Sequence, residues 1–390
     1  MRITEELHRE LQSRWEAGVP SLGERQRLRK THSAQEVDLL CESLQGAKKS
    51  TNKFGPGVWW STVRGCMQAT HRQVADLKAG WLGDRLVYDL CCGIGGDSIS
   101  LARRGPLVSV DYDPVIQAIA ERNVNSSGGL TQGLCRDVTQ LSFDCESGLH
   151  IDPDRRPDNR RTSHVEGFQP NWADVLKMIQ SVEAAVVKVA PASCMAEAAN
   201  DLECRRLWIS LTRTVREQCL LTGDAIDQAG MRAYKHAAVI LRNDQPAVWF
   251  RGENESKDNP IRSRETPGDV MFDPDAAIRA AGLTETLAQR FDLHLLGSAS
   301  GFLTGDGNQS LLETLRPLGV VANVVWSGSF DDRRIRRELR SLGAHARAVK
   351  IRSVDADPAV LCKRYRPCGE RPLTLWLGRT HRMSYAVLTD

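Results

Sequence analysis

The segment Leu86-Val-Tyr-Asp-Leu-Cys-Cys-Gly-Ile-Gly-Gly-Asp-Ser-Ile-Ser-Leu-Ala102 constrains this chain more than any other. An apolar strand ends in a carboxylate, Asp89. A glycine turn follows at once, and a helix opens near Asp97. A second apolar run, Leu107 to Val110, then ends in Asp111. Apolar runs of strand length, divided by a glycine turn and a helical pattern, read as a β-α-β unit.

The rest of the chain extends this unit. Strands are predicted at 86–90, 107–111, 148–152 and 184–190, and near 206–211 and 237–241, with helices at 97–104, 114–124 and 171–181 between the early ones. That alternation indicates α/β architecture with a parallel, doubly wound sheet. Residues 1–82 read as a helical region. One helix spans Thr4 to Trp15 and a second follows Ser33, where Ser33 and Glu36 form a capping box. Trp59-Trp-Ser-Thr then leads into a helix running to about Leu82. The sheet domain spans 83–250, residues 251–269 form a linker, and a C-terminal α/β domain spans 270–390. Its pattern is helix 274–291, a strand from Leu293, helix 309–316, strand 321–326, helix 331–342, strand 346–352, helix 357–365, and strands 372–377 and 383–388.

With 390 residues the chain is long enough for two or three domains with sizeable cores. No apolar run approaches the roughly 20 residues that span a bilayer, and Met1-Arg-Ile-Thr-Glu-Glu lacks the apolar centre of a signal peptide. The expectation is a cytoplasmic protein with no membrane partner. The 11 cysteines include no Cys-x-x-Cys pair, so reduced thiols and no metal are expected. Net charge is +3, but residues 331–382 hold 14 Lys/Arg against 6 Asp/Glu. A basic module of this kind reads either as a surface for a polyanionic partner or as a solvated helix face.

The glycine turn Cys91-Cys-Gly93-Ile-Gly95-Gly96 lets main chain pass close to a ligand, and the helix behind it points free amides into the turn. Asp111, at the end of the second strand, is placed to accept both hydroxyls of a ribose. Asp137 follows the expected third strand, where it can meet an adenine amino group, and Tyr112 flanks Asp111. A dinucleotide is the rival ligand, since Gly93-x-Gly95-x-x-Ser98 nearly satisfies that fingerprint; a purely structural turn is the third reading. Asp89 favours S-adenosylmethionine, because a carboxylate there suits an amino-acid ammonium and repels a pyrophosphate. Asp97 adds another acid where phosphates would lie.

His150-Ile-Asp152-Pro153-Asp-Arg155-Arg156 follows the fourth strand. Methyl transfer from a sulfonium is an in-line displacement dominated by positioning. Asp152 and the Pro153 carbonyl can accept the two hydrogens of an exocyclic amine, by analogy with the Asp/Asn-Pro-Pro-aromatic tetrad of amino-directed methyltransferases. Asp154 and Arg155 replace the second proline and the aromatic ring. Arg155 and Arg156, with Arg160 and Arg161, suit phosphates, although a polar loop capping the sheet is the alternative. Lys188 lies in an apolar strand, where a charge must be paired. It reads equally as a functional contact to Asp152 or substrate and as a structural ion pair. Trp59, Trp60 and Gln68-Ala-Thr70 read either as core or as a cover over the cofactor's methionine end or a flipped base.

With these motifs in hand, the chain resembles the class I S-adenosylmethionine-dependent methyltransferases that carry a C-terminal THUMP-like domain. The carriers are Gln68-Ala-Thr, Asp89-Leu-Cys-Cys-Gly-Ile-Gly-Gly-Asp, Val110-Asp-Tyr-Asp-Pro, Asp152-Pro-Asp-Arg-Arg, Val187-Lys-Val-Ala-Pro and Leu207-Trp-Ile-Ser. Further along they are Phe272-Asp-Pro-Asp-Ala-Ala-Ile-Arg, Phe302-Leu-Thr-Gly-Asp and Val349-Lys-Ile-Arg. The first half is also similar to trimethylguanosine synthases, through Trp59-Trp-Ser and Cys92-Gly-Ile-Gly-Gly. The resemblance implies a Rossmann-like sheet, S-adenosylmethionine as cofactor and an RNA substrate, tRNA among the candidates, with a base amino group as the acceptor. The alternatives are a methyltransferase acting on a small molecule or protein and a non-catalytic RNA-binding protein with a methyltransferase-like fold. Arg333, Arg337, Lys350 and Arg352 of the basic module would then grip phosphates. A glycine turn is expected after Trp208-Ile-Ser but is missing, and Cys91 stands where glycine is frequent.

Overall fold

The computed structural model describes residues 3–154, 164, 167–195, 202–243, 245–252, 262–297, 301–307 and 309–390. Internal packing divides the chain into two compact units. One comprises Met1–Leu211 and Arg216–Lys235, the other Thr212–Val215 and His236–Asp390.

In the first unit the strands are β1 (Val87–Leu90), β2 (Leu107–Asp111), β3 (Gln132–Cys135), β4 (Gly148–Ile151), β5 (Ala184–Val189), β6 (Cys204–Leu211) and β7 (Thr214–Gly223). They lie in the order β3-β2-β1-β4-β5-β7-β6. The first five are parallel, and β7 runs antiparallel to β5. This is the Rossmann-like sheet expected above. The order reverses between β1 and β4, so their carboxyl ends open the crevice where such sheets take ligands.

Strand alternation sorts the side chains. Leu90, Leu149, Ile151, Val187 and Val189 share one buried cluster with Trp172, Val175 and Ile179 of the helix Trp172–Gln180. Asp89, His150 and Lys188 occupy the alternate positions, so their charge is directed to the opposite face. The helices Arg72–Ala79 and Ser98–Arg104 supply Lys78, Asp97 and Ser98 to meet it.

The N-terminal helices belong to this same unit. Thr4 caps Glu5–Arg14 by accepting from the Leu7 amide, and Ser33 and Glu36 form the expected capping box on Ala34–Phe54. Trp59 and Trp60 are core, not a cover for a base. Trp60 is fully buried among Leu7, Leu40, Ile94 and Ile119, and its indole donates to His8 Nδ1 at 3.0 Å. Asn123 ties this segment to the glycine turn, because its Nδ2 donates to the carbonyls of both Trp60 and Ile94 at 2.9 Å.

The helix expected to run to Leu82 breaks into Val63–Gln68 and Arg72–Ala79. Ala69 is extended, and Lys53 Nζ donates to the carbonyls of Met67 and Ala69 at 3.0 and 2.5 Å, satisfying acceptors the helix no longer pairs. The break brings Thr70 against the sheet. The missing glycine turn after Ser210 is replaced by Thr212 and Arg213, both left-handed at φ 50° and 66°, a backbone that matches hairpin twist. It leads into β7, which the polar run Thr214-Val-Arg-Glu217 concealed.

In the second unit β8 (His236–Leu241) and β9 (Val248–Gly252) are antiparallel. The remaining strands are β10 (Ser263–Arg264), β11 (Val270–Pro274), β12 (His294–Leu296), β13 (Leu303–Gly305), β14 (Gly319–Ser329), β15 (Ala344–Ile351), β16 (Arg371–Arg379) and β17 (Ser384–Thr389). They form one sheet in the order β10-β12-β13-β11-β14-β17-β16-β15. Alternate residues of β16 serve two cores. Trp376 packs with Met271, Phe302 and Tyr385, while Leu375 and Leu377 pack with Ile335, Leu339 and Leu361. The helix expected over 274–291 is two helices, Ala276–Ala280 and Thr284–Arg290, divided where Gly282 turns left-handed at φ 71°. Among the described residues no helix is long and apolar enough to cross a membrane.

Candidate active site

The turn between β1 and the helix Ser98–Arg104 is built on left-handed residues: Cys91 at φ 58°, Gly93 at 55° and Gly95 at 85°. A side chain on Gly95 would stand 3.1 Å from the Ala120 Cα, and one on Gly96 would stand 2.9 Å from the Thr70 amide. Both glycines therefore let the turn pack against neighbouring backbone. At Gly93 a side chain would meet open space, so glycine serves the backbone angle there and leaves the rim free. Cys91 takes its left-handed angle without glycine's freedom, at a cost in strain.

Asp111 reaches over this turn. Its Oδ2 accepts from the Gly93 amide at 3.0 Å and its Oδ1 from the Asp113 amide at 3.1 Å. Burial pushes its pKa up to about 6, against the pull of those two amides. Tyr112 beside it is 77% exposed. Asp137 is exposed on the following loop, where the Thr139 amide and hydroxyl hold its carboxyl below the usual range.

Asp89 lies beneath the turn. It is fully buried, its Oδ1 lies 2.7 Å from His150 Nδ1, and its Oδ2 accepts from the Ser98 hydroxyl. Strand register explains this, since Asp89 and His150 are paired partners across β1 and β4. With both oxygens engaged, Asp89 braces the turn from beneath.

Register also assembles the second half of the site. Ile151 pairs with Val187, so the next residues, Asp152 and Lys188, come side by side. Lys188 Nζ donates to Asp152 Oδ2 at 2.6 Å and to the Thr70 hydroxyl at 3.0 Å. Thr70 donates in turn to Asp97 Oδ2 at 2.6 Å. Lys78 Nζ, 1% exposed, sits 2.8 Å from Asp97 Oδ1 and 2.7 Å from Glu217 Oε1. Glu217 Oε2 lies 3.9 Å from Lys188. A continuous buried chain of charge thus runs from Asp97 through Lys78, Glu217 and Lys188 to Asp152 at the crevice. Burial opposes the charge of Lys78 and of Lys188, but their carboxylate partners outweigh it and hold both above the ordinary lysine value. Asp97 is likewise held well below the usual carboxylate range despite its burial, with Lys78 the main cause.

Asp152 is the chain's outlet. Its side chain is 29% exposed, and Oδ1 has no hydrogen-bond partner among the described residues. Pro153 is buried behind it. Asp154 closes the loop, bridging to Gln169 in backbone and to Arg64 at 3.0 Å. Arg155 and Arg156, with Arg160 and Arg161, lie outside the described residues.

Sequence reasoning missed Lys78 and Glu217 and assigned nothing to His150 or to the Ser98 hydroxyl. A lysine in the apolar pattern of the helix Arg72–Ala79 was the one available signal. In the second unit, Arg333 and Arg337 are exposed on the helix Asp332–Ser341, as a surface role requires. Lys350 and Arg352 are not free on the surface, because both bind Asp273.

No family model matches the chain. Two curated relatives do: a protein of Mycobacterium tuberculosis strain H37Rv and its counterpart in strain CDC 1551, each called an uncharacterized S-adenosylmethionine-dependent methyltransferase. Each is 30% identical over 359 residues, covering 90% of this chain and 95% of the relative. A crystal structure from Porphyromonas gingivalis W83, described as a candidate methyltransferase, matches the fold with a TM-score of 0.74 at 14% identity, covering 100% of this chain and 98% of the other.

Proposed function

Because this chain belongs to the S-adenosylmethionine-dependent methyltransferases, we propose that it methylates a base amino group in RNA, with tRNA among the candidates. S-adenosylmethionine is its cofactor and supplies an electrophilic methyl group on sulfur. The turn after β1 carries groups suited to that molecule. Gly93 faces open space, and Asp111 stands at its rim to accept the ribose hydroxyls. Tyr112 and Asp137 flank the adenine, and Cys91, Gly95 and Gly96 shape the turn.

The observation that carries the acceptor reading is the Lys188–Asp152 pair. Lys188 occupies Oδ2, which leaves Oδ1 for the acceptor. Oδ1 and the Pro153 carbonyl accept the two hydrogens of an amine and hold its lone pair outward. The Asp152 charge also meets the positive charge that grows on nitrogen. Arg333 and Arg337, with Arg155 and Arg156 of the loop, suit the phosphates of RNA, in keeping with a THUMP-like second unit. Such binding weakens steeply as salt rises.

The test is radiolabelled methyl transfer to RNA from a strain lacking the gene, followed by nucleoside mass spectrometry. Label on an exocyclic nitrogen is the expected result. Label confined to protein or to small molecules would replace the RNA reading with one of those acceptors.

Asp111 adds a pH dependence. With its pKa at about 6 in the free protein, it is mostly protonated at pH 5 and ionised at pH 7. A ribose diol offers two donors and so prefers the carboxylate. Affinity for S-adenosylhomocysteine is therefore expected to rise up to about tenfold per unit as pH climbs toward 6, and to level above it. The empty protein shows the opposite trend. Its folded-state value lies above the ordinary aspartate value, so this group's contribution to stability declines as pH rises from about 4 to about 6. Calorimetric titration and melting curves across that range, repeated with Asp111→Asn, check the two: the variant binds weakly at every pH and loses both slopes.

A further inference from the structure

The second unit holds a charge cluster that its described residues leave unbalanced. Asp273, on β11, receives three cations. Arg279 Nη2 and Arg352 Nη2 each lie 3.0 Å from Oδ1, and Lys350 Nζ lies 2.8 Å from Oδ2. Among the described residues every ion pair of these three cations ends on that one carboxylate. Three positive charges thus face one negative charge.

The excess is not simply dissolved in water. The Arg279, Lys350 and Arg352 side chains are 18%, 24% and 37% exposed. The Nε atoms of both arginines are buried without a hydrogen-bond partner, a costly state for a guanidinium donor. Arg279 is pulled below its ordinary pKa by burial, and the charge of Arg352 adds to the effect. Aromatic rings form the floor. Lys350 Nζ lies 5.2 Å from the Trp376 ring centroid and Arg352 lies 5.6 Å from that of Phe302. The two rings pack edge to face at 4.9 Å, which orients the cations without neutralising them. One cation would suffice to tie down Asp273, so a structural latch accounts for one of the three. The other two match an anion of two charges.

We propose that Arg279, Lys350 and Arg352 form a binding site for a phosphomonoester dianion. A phosphomonoester carries close to two negative charges at neutral pH, whereas a phosphodiester carries one and would leave a partly buried cation unmatched. Paired guanidinium forks suit the tetrahedral oxygens of such a group. The source of the phosphate is either the phosphorylated end of an RNA or a small phosphorylated metabolite. The first source rests on the RNA reading above; the site itself does not, since it lies in the second unit and needs no methyl transfer.

The experiment uses the full chain at low ionic strength. Inorganic phosphate is titrated by calorimetry and by its effect on the melting temperature, with chloride as the control. Phosphate is expected to bind and to raise the melting temperature, and Arg352→Gln, at the most exposed of the three cations, is expected to weaken binding at least tenfold. Lys350→Met gives the same loss should Arg352→Gln fail to fold. Asp273→Asn keeps all three cations and is expected to bind phosphate more tightly than the wild type. Absence of phosphate binding in the wild type, or equal binding by wild type and Arg352→Gln, overturns the proposal. A competition between 5′-phosphorylated and 5′-hydroxyl oligoribonucleotides of one sequence then separates the sources. A tenfold preference for the phosphorylated strand, lost in Arg352→Gln, assigns the RNA end. Equal binding of the two strands with phosphate binding intact assigns a small metabolite.

Discussion

Asp152→Asn is expected to lower methyl transfer by about a thousandfold while leaving S-adenosylhomocysteine affinity within about twofold. The magnitude is that of losing a positioned hydrogen-bonding and charge-stabilising group at the reacting atoms. The substitution is nearly isosteric, so its effect is chemical. Lys188 Nζ needs an acceptor at 2.6 Å and claims the amide oxygen. The amide nitrogen then faces the crevice, where it presents donors to the two hydrogens of the acceptor amine. Repulsion replaces acceptance, and the negative charge opposite the developing cation is gone. The cofactor turn, held by Asp111 and the glycines, is untouched. Single-turnover transfer of a radiolabelled methyl group measures the first quantity and calorimetry the second. Wild-type transfer by Asp152→Asn would remove Asp152 from the mechanism, and a parallel collapse of cofactor affinity would make it a structural residue.

The second large effect is on stability. Lys78→Met is expected to cost roughly 3–5 kcal/mol, the usual penalty for leaving buried charge without its partner. Lys78 lies between Asp97 and Glu217, all three buried. Methionine fills the volume but takes the nearest cation from two buried carboxylates. A fall of on the order of 10 °C in the melting temperature follows.

The pH dependence also changes direction. In the wild type Asp97 is held below its ordinary value, so its contribution is present at neutral pH and fades only in acid. In the variant Asp97 loses the main cause of that lowering while its burial remains, so its contribution turns and stability rises as pH falls from 7 toward 5. Adding Glu217→Gln to Lys78→Met recovers part of the loss, because one of the two uncompensated charges is gone. Melting curves at both pH values check this. A Lys78→Met protein as stable as the wild type would show that the charge chain carries no structural weight.

How much was legible beforehand varies by element. The strands at 107–111 and 184–190, the capping box at Ser33, and the helices behind Asp97 and Asp113 could be read because their determinants lie within a few residues of each other. The hairpin strand Thr214–Gly223 could not, because its first half carries polar residues and its turn uses Thr212 and Arg213 in place of glycine. The break at Ala69 was equally hidden, since it depends on how closely Gly96 admits Thr70.

Local periodicity and turn chemistry determined the α/β alternation, the glycine turn and the positions of Asp111, Asp152 and Lys188, because backbone preference and apolar spacing act over short stretches of chain. Which charge answers which was decided in three dimensions. His150 meets Asp89 across 61 positions and Lys188 meets Thr70 across 118. Parallel strand pairing sets such neighbours by register, and a buried ion takes whatever partner the packed helices bring to it. That is why Asp89 lies sealed beneath the turn.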